Sequence, residues 1–192
     1  MNTARARAVE AEEKQPESLF SPNDPAAYAS PIDFIWAEHD RQLAICDLIE
    51  RLARNPRHCT AAAAVAAVRD HLVRDLALHV ADEEEDLFPL LRRRCPKSDG
   101  VDEIFALLQQ EHEVDLALHR SLVGDLDALI AGHAFADPAR FMMNAFAYIQ
   151  AQRRHIAWEN VVILPRARRH LTADDRAMLA QAIAKRHAGC AT

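Results

Sequence analysis

Residues 72–90, LVRDLALHVADEEEDLFPL, contain the pattern on which the fold of this chain depends. Leucines recur there at spacings of three and four, the period of one face of an α-helix. The same face also includes His79 and Glu83, which are one helical turn apart. We therefore expect a histidine and a carboxylate to point into an apolar interior, where both need a partner.

Three further stretches have the same periodicity, and each places a histidine on its apolar face: His39, His112 and His155, the last followed by Glu159. Capping residues and prolines mark the ends of the helices. The predicted helices start at Ser30-Pro31, near Thr60, after Ser98-Asp99-Gly100 and at Asp137-Pro138. The first, third and fourth end near Asn55-Pro56, Gly132 and Pro165, and the second includes Leu90. Pro89 is expected to kink or weaken the last turn of its helix.

A shorter fifth helix is predicted to follow the cap Thr172–Asp175. Four long amphipathic helices with short connections predict an all-α fold, an antiparallel up-down four-helix bundle. We divide the chain into a poorly ordered polar tail (1–29), the bundle (30–170) and a C-terminal helix packed on it (171–192).

Composition narrows the classes of function. A chain of 192 residues with a net charge of −6 gives no sign of a nucleic-acid partner. Its four cysteines have no paired spacing, so we expect reduced thiols in a cytoplasmic protein. There is no apolar run long enough to span a membrane and no secretory signal, so no membrane partner is expected.

The two histidine–glutamate pairs on apolar faces are the candidate metal ligands. Five of the ten histidines have an acid four residues later, but His71, His133 and His170 lie off the apolar face or near helix ends. Burying two carboxylates without a counter-charge is costly. A neutral polar network could offset part of that cost, but divalent cations bind imidazole and carboxylate directly. The predicted metal ligands are His39, His79, Glu83, His112, His155 and Glu159.

These segments resemble the hemerythrin/HHE cation-binding domains over roughly residues 30 to 168. The matching stretches are Ala37–Asp40, His79–Pro89, Glu111–Glu113 and His155–Pro165, of which His79–Pro89 is the most specific. The resemblance implies a non-haem centre of two iron ions (Fe2+/Fe3+), oxo- or hydroxo-bridged, with Glu83 and Glu159 bridging them. One iron would be held by His39 and His79, the other by His112 and His155.

The sequence departs from the oxygen-carrying hemerythrins at Leu116, where those proteins have a second histidine one turn after the third-helix ligand. Glu159 also replaces the aspartate of the carriers. About five donors per iron would then leave a vacant coordination position. We therefore expect a protein that binds or senses dioxygen, nitric oxide or peroxide. Slow redox turnover at the centre, with a reductase as a partner, is compatible with this function. The alternative is an iron-responsive regulatory or iron-homeostasis module that acts through a protein partner.

A structural zinc site is a weaker alternative, because zinc favours closed four-coordinate shells and six ligands imply two metals.

Six other residues near the predicted ligands are not expected to bind metal. His119 is expected to be a hydrogen-bonded core histidine, Tyr148 a core residue and Trp36 a shield for the pocket. Solvated or supporting roles, rather than ligation, are expected for three glutamates: Glu84, Glu111 and Glu113.

Overall fold

The computed structural model describes residues 28–55 and 62–189, without the side chains of 113–117. These ranges are helical and include no strand, which confirms the all-α class. The α-helices are α1 Pro31–Arg54, α2 Ala62–Asp70, α3 Leu76–Ala81, α4 Phe88–Arg94, α5 Val101–Ile130, α6 Pro138–Trp158, α7 Leu164–His170 and α8 Ala173–Ala188. The helix start near Thr60 and nearly all of the predicted polar tail lie outside the described residues.

Two of the three sequence-predicted caps form. The Asp137 side chain accepts a hydrogen bond from the backbone amide of Arg140, and Thr172 and Asp175 form a reciprocal capping box. Ser30 occupies the predicted N-cap position of α1, but its hydroxyl donates to the Asp33 carboxylate instead of accepting from the backbone. Polar side chains therefore define the starts of α6 and α8, while α1 begins with a proline in its first turn.

Three π-helical segments interrupt the long helices: His71–Asp75, Asp82–Leu87 and Glu159–Ile163. In the last two, the amides of Phe88 and Leu164 bond to the carbonyls five residues back. A proline directly follows each of these amides. Because proline has no N–H and its ring clashes with the carbonyl four residues earlier, the wider turn relieves both problems.

The helical path therefore continues past both prolines, to Arg94 and to His170. The prediction that the fourth helix ends at Pro165 was wrong. The prediction for His71 also needs correction, because His71 is buried although its spacing places it off the apolar face. A π-turn takes up extra residues and rotates the later positions around the helix, so a simple helical period misplaces residues near it.

Two apolar clusters form the core. The first includes Ile32 and Ile35 of α1, Leu87 to Leu91, Phe105 of α5, and Ile163 with Leu164. The second includes Ile45 and Ile49 of α1, Val68 with Leu72, Leu122 of α5, and Phe141 with Ile149 of α6. Along each long helical run, a histidine or glutamate that is buried or only slightly exposed lies between the two clusters. The core is therefore two apolar layers that enclose a polar one.

The last helix, α8, packs against α1 and the π-segment Asp82–Leu87. Its Ile183 and Leu179 join the first apolar cluster. The Asp175 carboxylate at its start accepts two hydrogen bonds from the Arg94 guanidinium. None of the described helices combines the length and the apolar character that crossing a membrane requires.

The second apolar cluster yields a stability prediction. Phe141→Ala should lower the free energy of unfolding by about 3–5 kcal/mol, because it leaves a cavity at a side chain stacked on Phe135. Met143→Ala is the control, since Met143 is on the same helix and largely exposed. It should change stability by less than about 0.5 kcal/mol. Urea unfolding measures both values, and equal losses would show that this cluster is not a packed core.

Candidate metal centre

The polar layer brings all six sequence-predicted ligands together. Their ligand atoms form two groups, within each of which all atoms lie within 4.8 Å of one another. The groups are His39, His79, Glu83 and Glu159, and His112, His155, Glu83 and Glu159. Both glutamates are common to the two groups. The arrangement can therefore hold two cations that share two carboxylates.

The two oxygens of Glu159 face different groups. Oε2 lies 3.2 Å from His39 Nε2, and Oε1 lies 3.0 Å from His155 Nε2. Glu83 is also between the groups: its Oε1 is 3.8 Å from His39 Nε2, and its Oε2 is 3.9 Å from His112 Nε2. Each carboxylate thus spans the gap between imidazoles from different helices, as a bridging ligand must.

The site contains buried polar atoms that the protein does not satisfy. All four carboxylate oxygens of Glu83 and Glu159 are buried and accept no hydrogen bond from the described residues. The same holds for the Nε2 atoms of His39 and His79. Native proteins rarely leave such groups unpaired, because each costs about 1–3 kcal/mol, and more when charged. Divalent cations would satisfy all of these atoms, so the donor set fits a metal.

The outer nitrogen of each imidazole has an oxygen partner. The His39 Nδ1 is 2.6 Å from Asn160 Oδ1, and the His79 Nδ1 is 3.2 Å from Glu38 Oε2. Carboxylate and amide oxygens only accept hydrogen bonds, so each Nδ1 is the protonated nitrogen. In the neutral ring, Nε2 then presents its lone pair to the centre.

The other pair of histidines follows the same rule. The His112 Nδ1 is 2.6 Å from Glu84 Oε1, and the His155 Nδ1 is 2.9 Å from Glu111 Oε2. The two Nε2 atoms then face each other at 3.0 Å. Two lone pairs at that distance repel unless a proton or a metal lies between or beside them. An oriented imidazole with a carboxylate behind it is the usual arrangement of a metal-bound histidine.

The pKa values of two histidines in the metal-free site show how strongly the buried carboxylates favour positive charge beside them. Burial by itself lowers the pKa of His39, but the carboxylates of Glu159 and Glu83 outweigh it and raise the pKa to about 10. Burial also disfavours a charge on His155, whose pKa the Glu159 carboxylate nevertheless raises to about 9. Protons on histidines thus compensate the carboxylates, and a cation has to displace these protons to bind.

The supporting residues were only partly predictable. Glu84 and Glu111 have the supporting role expected of them, as hydrogen-bond partners of imidazoles. The roles of Glu38 and Asn160 were missed. Glu38 directly precedes His39, and Asn160 directly follows Glu159. Each points to the side of its own helix, toward a histidine of a neighbouring helix, so only the three-dimensional packing identifies its partner.

Predictions for residues around the site have mixed outcomes. His119 donates to the Leu72 carbonyl at 2.6 Å, which confirms a hydrogen-bonded histidine, and Tyr148 is in the core. Trp36 is half-buried beneath the Arg168 guanidinium and packs on the first apolar cluster. The side chains of Leu116 and Glu113 lie outside those described, so the vacant position inferred from Leu116 stays a prediction.

Charged side chains next to the site also contact α8. Asp82, next to Glu83, is fully buried and contacts both Arg186 and His187 of that helix. The His187 Nε2 is 2.7 Å from Asp82 Oδ2. A buried aspartate needs such partners because desolvation penalises an isolated charge. The C-terminal helix therefore contributes to the electrostatics of the wall beside Glu83.

The hydrogen bond from His112 to Glu84 leads to a prediction about cation affinity. Glu84→Ala removes the acceptor that fixes the orientation of the His112 ring, so Fe2+ affinity should fall by about 10- to 100-fold. Glu103→Ala is the control, because Glu103 is an exposed glutamate on α5, the helix of His112, and lies outside both groups. Fe2+ titration under anaerobic conditions measures both affinities. Equal affinity in the two variants would mean that Glu84 does not orient a ligand.

Comparison with known proteins agrees with this geometry. The model of the hemerythrin HHE cation binding domain matches residues 30–167, the segment that supplies all six residues of the two groups. A search of curated proteins found no match. Because the matched segment covers most of the chain, this protein belongs to the hemerythrin HHE cation-binding domain family.

Proposed function

We propose that this protein holds two iron ions at a carboxylate-bridged centre and uses them to bind or sense dioxygen, nitric oxide or peroxide. The observation that carries the proposal is the sharing of Glu83 and Glu159 between two groups of ligand atoms. Imidazole nitrogen and carboxylate oxygen suit iron, and no cysteine of the described residues belongs to either group. That composition disfavours a structural zinc site here.

The ligand assignment follows the two groups. His39 and His79 would hold one iron and His112 and His155 the other, with Glu83 and Glu159 shared between the two. We also infer the antiparallel up-down order of the bundle. Helix α1 meets the first apolar cluster before the second, and the run from α2 to α4 meets the second before the first. Helix α5 and then the run from α6 to α7 repeat this alternation.

The protein side chains supply orientation and shielding. Bound iron would offer reversible one-electron redox chemistry and open positions for a small ligand. Apolar clusters above and below the polar layer exclude water, which strengthens the interaction of the carboxylates with a cation. The hydrogen-bonded Nδ1 atoms prevent the rings from rotating away from the centre.

One side of the centre is more open than the other. The His112 side chain is 12% exposed, whereas the His39 side chain is fully buried. The partners of the more open pair, Glu84 and Glu111, are about one-third exposed. A diatomic molecule or peroxide would therefore reach the iron held by His112 and His155 by the shorter path.

A second candidate function is an iron-responsive regulatory or iron-homeostasis module that acts through a protein partner. One observation favours it: α8 lies beyond the residues that match the family model, and its Arg186 and His187 contact Asp82 beside Glu83. Iron loading could thus change how firmly α8 is held. Hydrogen exchange of α8 amides with and without iron separates the two functions, since gas binding alone requires no change there.

The bridging role of Glu83 leads to a prediction. Glu83→Ala should retain less iron than His39→Ala, because it removes a ligand to both metals rather than to one. Asp75→Ala is the control: Asp75 pairs with His71 and Arg74, outside both groups, so iron content should be unchanged. Elemental analysis after identical loading gives iron per chain. Equal retention in Glu83→Ala and His39→Ala would contradict the bridge, and metal loss in Asp75→Ala would contradict the ligand assignment.

Reactivity tests the choice of ligand. Stopped-flow mixing of the reduced, iron-loaded protein with dioxygen, nitric oxide and peroxide should change its optical spectrum with at least one of them. The same mixing with the metal-free protein is the control and should give no change. An iron-loaded protein that is inert to all three would contradict a gas- or peroxide-binding function and would favour the regulatory one.

A further inference from the structure

A second cluster of metal-ligating side chains lies away from the polar layer, at one end of the bundle. It consists of Cys95, Asp99 and His170, whose Sγ, carboxylate oxygen and ring nitrogen all lie within 4.8 Å of one another. We propose that this cluster is a separate binding site for a single thiophilic divalent cation such as Zn2+. We call it the thiolate site.

The donors suit such a cation. Thiolate, imidazole and carboxylate are the three side-chain ligands that zinc takes in proteins. The Asp99 Oδ2 is already 3.5 Å from His170 Nε2, close to the separation of two ligands on one tetrahedral ion. All three residues are partly exposed, so water can reach the fourth position. A site with three protein ligands and one solvent ligand is a common zinc arrangement.

The turn that carries two of the ligands is already shaped. Cys95 ends α4, and Pro96 holds an extended backbone behind it. The amides of Asp99 and Gly100 bond to the carbonyls of Pro96 and Lys97. Gly100 has a left-handed backbone with φ of 59°, which glycine adopts without strain. The turn therefore needs little reordering when a cation binds, which lowers the entropic cost of the site.

The surrounding charge also favours a cation. The helical runs 62–94 and 138–170 both end at the thiolate site, and the carbonyls at a helix C-terminus carry partial negative charge. Three arginines of these last turns pair with carboxylates outside the site: Arg92 with Asp102, Arg94 with Asp175, and Arg168 with Asp33. Their positive charge is therefore largely compensated by other carboxylates.

Arg166 is a cation that competes directly for Asp99. Its Nε is 4.0 Å from Asp99 Oδ2, is buried and makes no hydrogen bond to the described residues. When no metal is bound, the Arg166 guanidinium thus acts as a weak counter-ion of the Asp99 carboxylate. Burial raises the pKa of the Cys95 thiol, so metal binding releases its proton to solvent, and the resulting thiolate and the Asp99 carboxylate neutralise the divalent charge.

Cobalt reports on this site specifically. Co2+ bound by cysteine gives a thiolate-to-metal charge-transfer band in the near ultraviolet, which histidine and glutamate ligands do not produce. Adding Co2+ to the iron-loaded full chain should give one equivalent of this band. The band should disappear in Cys95→Ala and persist in Cys46→Ala, which removes a thiol buried in the second apolar cluster. Iron content should be the same in all variants.

Four further variants test the other two ligands, the specificity of the effect and the competing charge of Arg166. Asp99→Asn and His170→Gln should weaken Co2+ binding by about tenfold or more, since a direct ligand matters at least as much as an orienting partner. His133→Gln, at an exposed histidine with an acid four residues later, should have no effect. Arg166→Gln should strengthen Co2+ binding, because it removes the competing charge. This last gain would not follow from a merely structural role of the cluster.

The thiolate site is contradicted if the wild-type chain gives no charge-transfer band, or if the band survives Cys95→Ala. Unchanged Co2+ affinity in Asp99→Asn and His170→Gln would also overturn it. Zn2+ should raise the melting temperature of the iron-loaded wild type but not that of Cys95→Ala. The thiolate band does not depend on the central histidines, so Co2+ titration of the chain without iron would still test the thiolate site if the di-iron proposal failed.

Discussion

The central constraint on this structure is the burial of two carboxylates, whose charge has to be compensated inside the polar layer. Glu83 and Glu159 are fully buried, and their oxygens accept no hydrogen bond from the described residues. In the metal-free protein, nearby imidazoles compensate them, which explains the raised pKa values of His39 and His155. Such a centre is stable only if the apolar clusters on both sides hold the four histidines in place, so packing and site chemistry depend on each other.

Local backbone geometry and long-range hydrogen bonds place the ligands. Both glutamates lie in π-helical segments, each with a proline two residues after its end, and the wider turn accommodates that proline. The histidines are oriented by oxygens from other helices. The geometry of the candidate metal centre therefore depends on several helices, and α8 contacts Asp82 next to Glu83.

Much of this could be predicted from sequence, because helical period and capping chemistry are local. The residues of the two groups were found from their place on apolar faces, and the starts of α6 and α8 from Asp137 and Thr172. The π-turns escaped prediction, since they change the period itself; hence the errors at Pro165 and His71. Glu38 and Asn160 were missed because their partners are on other helices. Cys95, Asp99 and His170 are likewise brought together only by the fold.

The most direct test of the central claim is the anomalous diffraction of crystals of the iron-loaded protein at the iron edge. The account predicts two iron peaks in each chain, one bound by His39 and His79 and the other by His112 and His155. Both Glu83 and Glu159 should lie within coordination distance of both peaks. A single peak, or two peaks that share neither glutamate, would contradict the carboxylate-bridged centre.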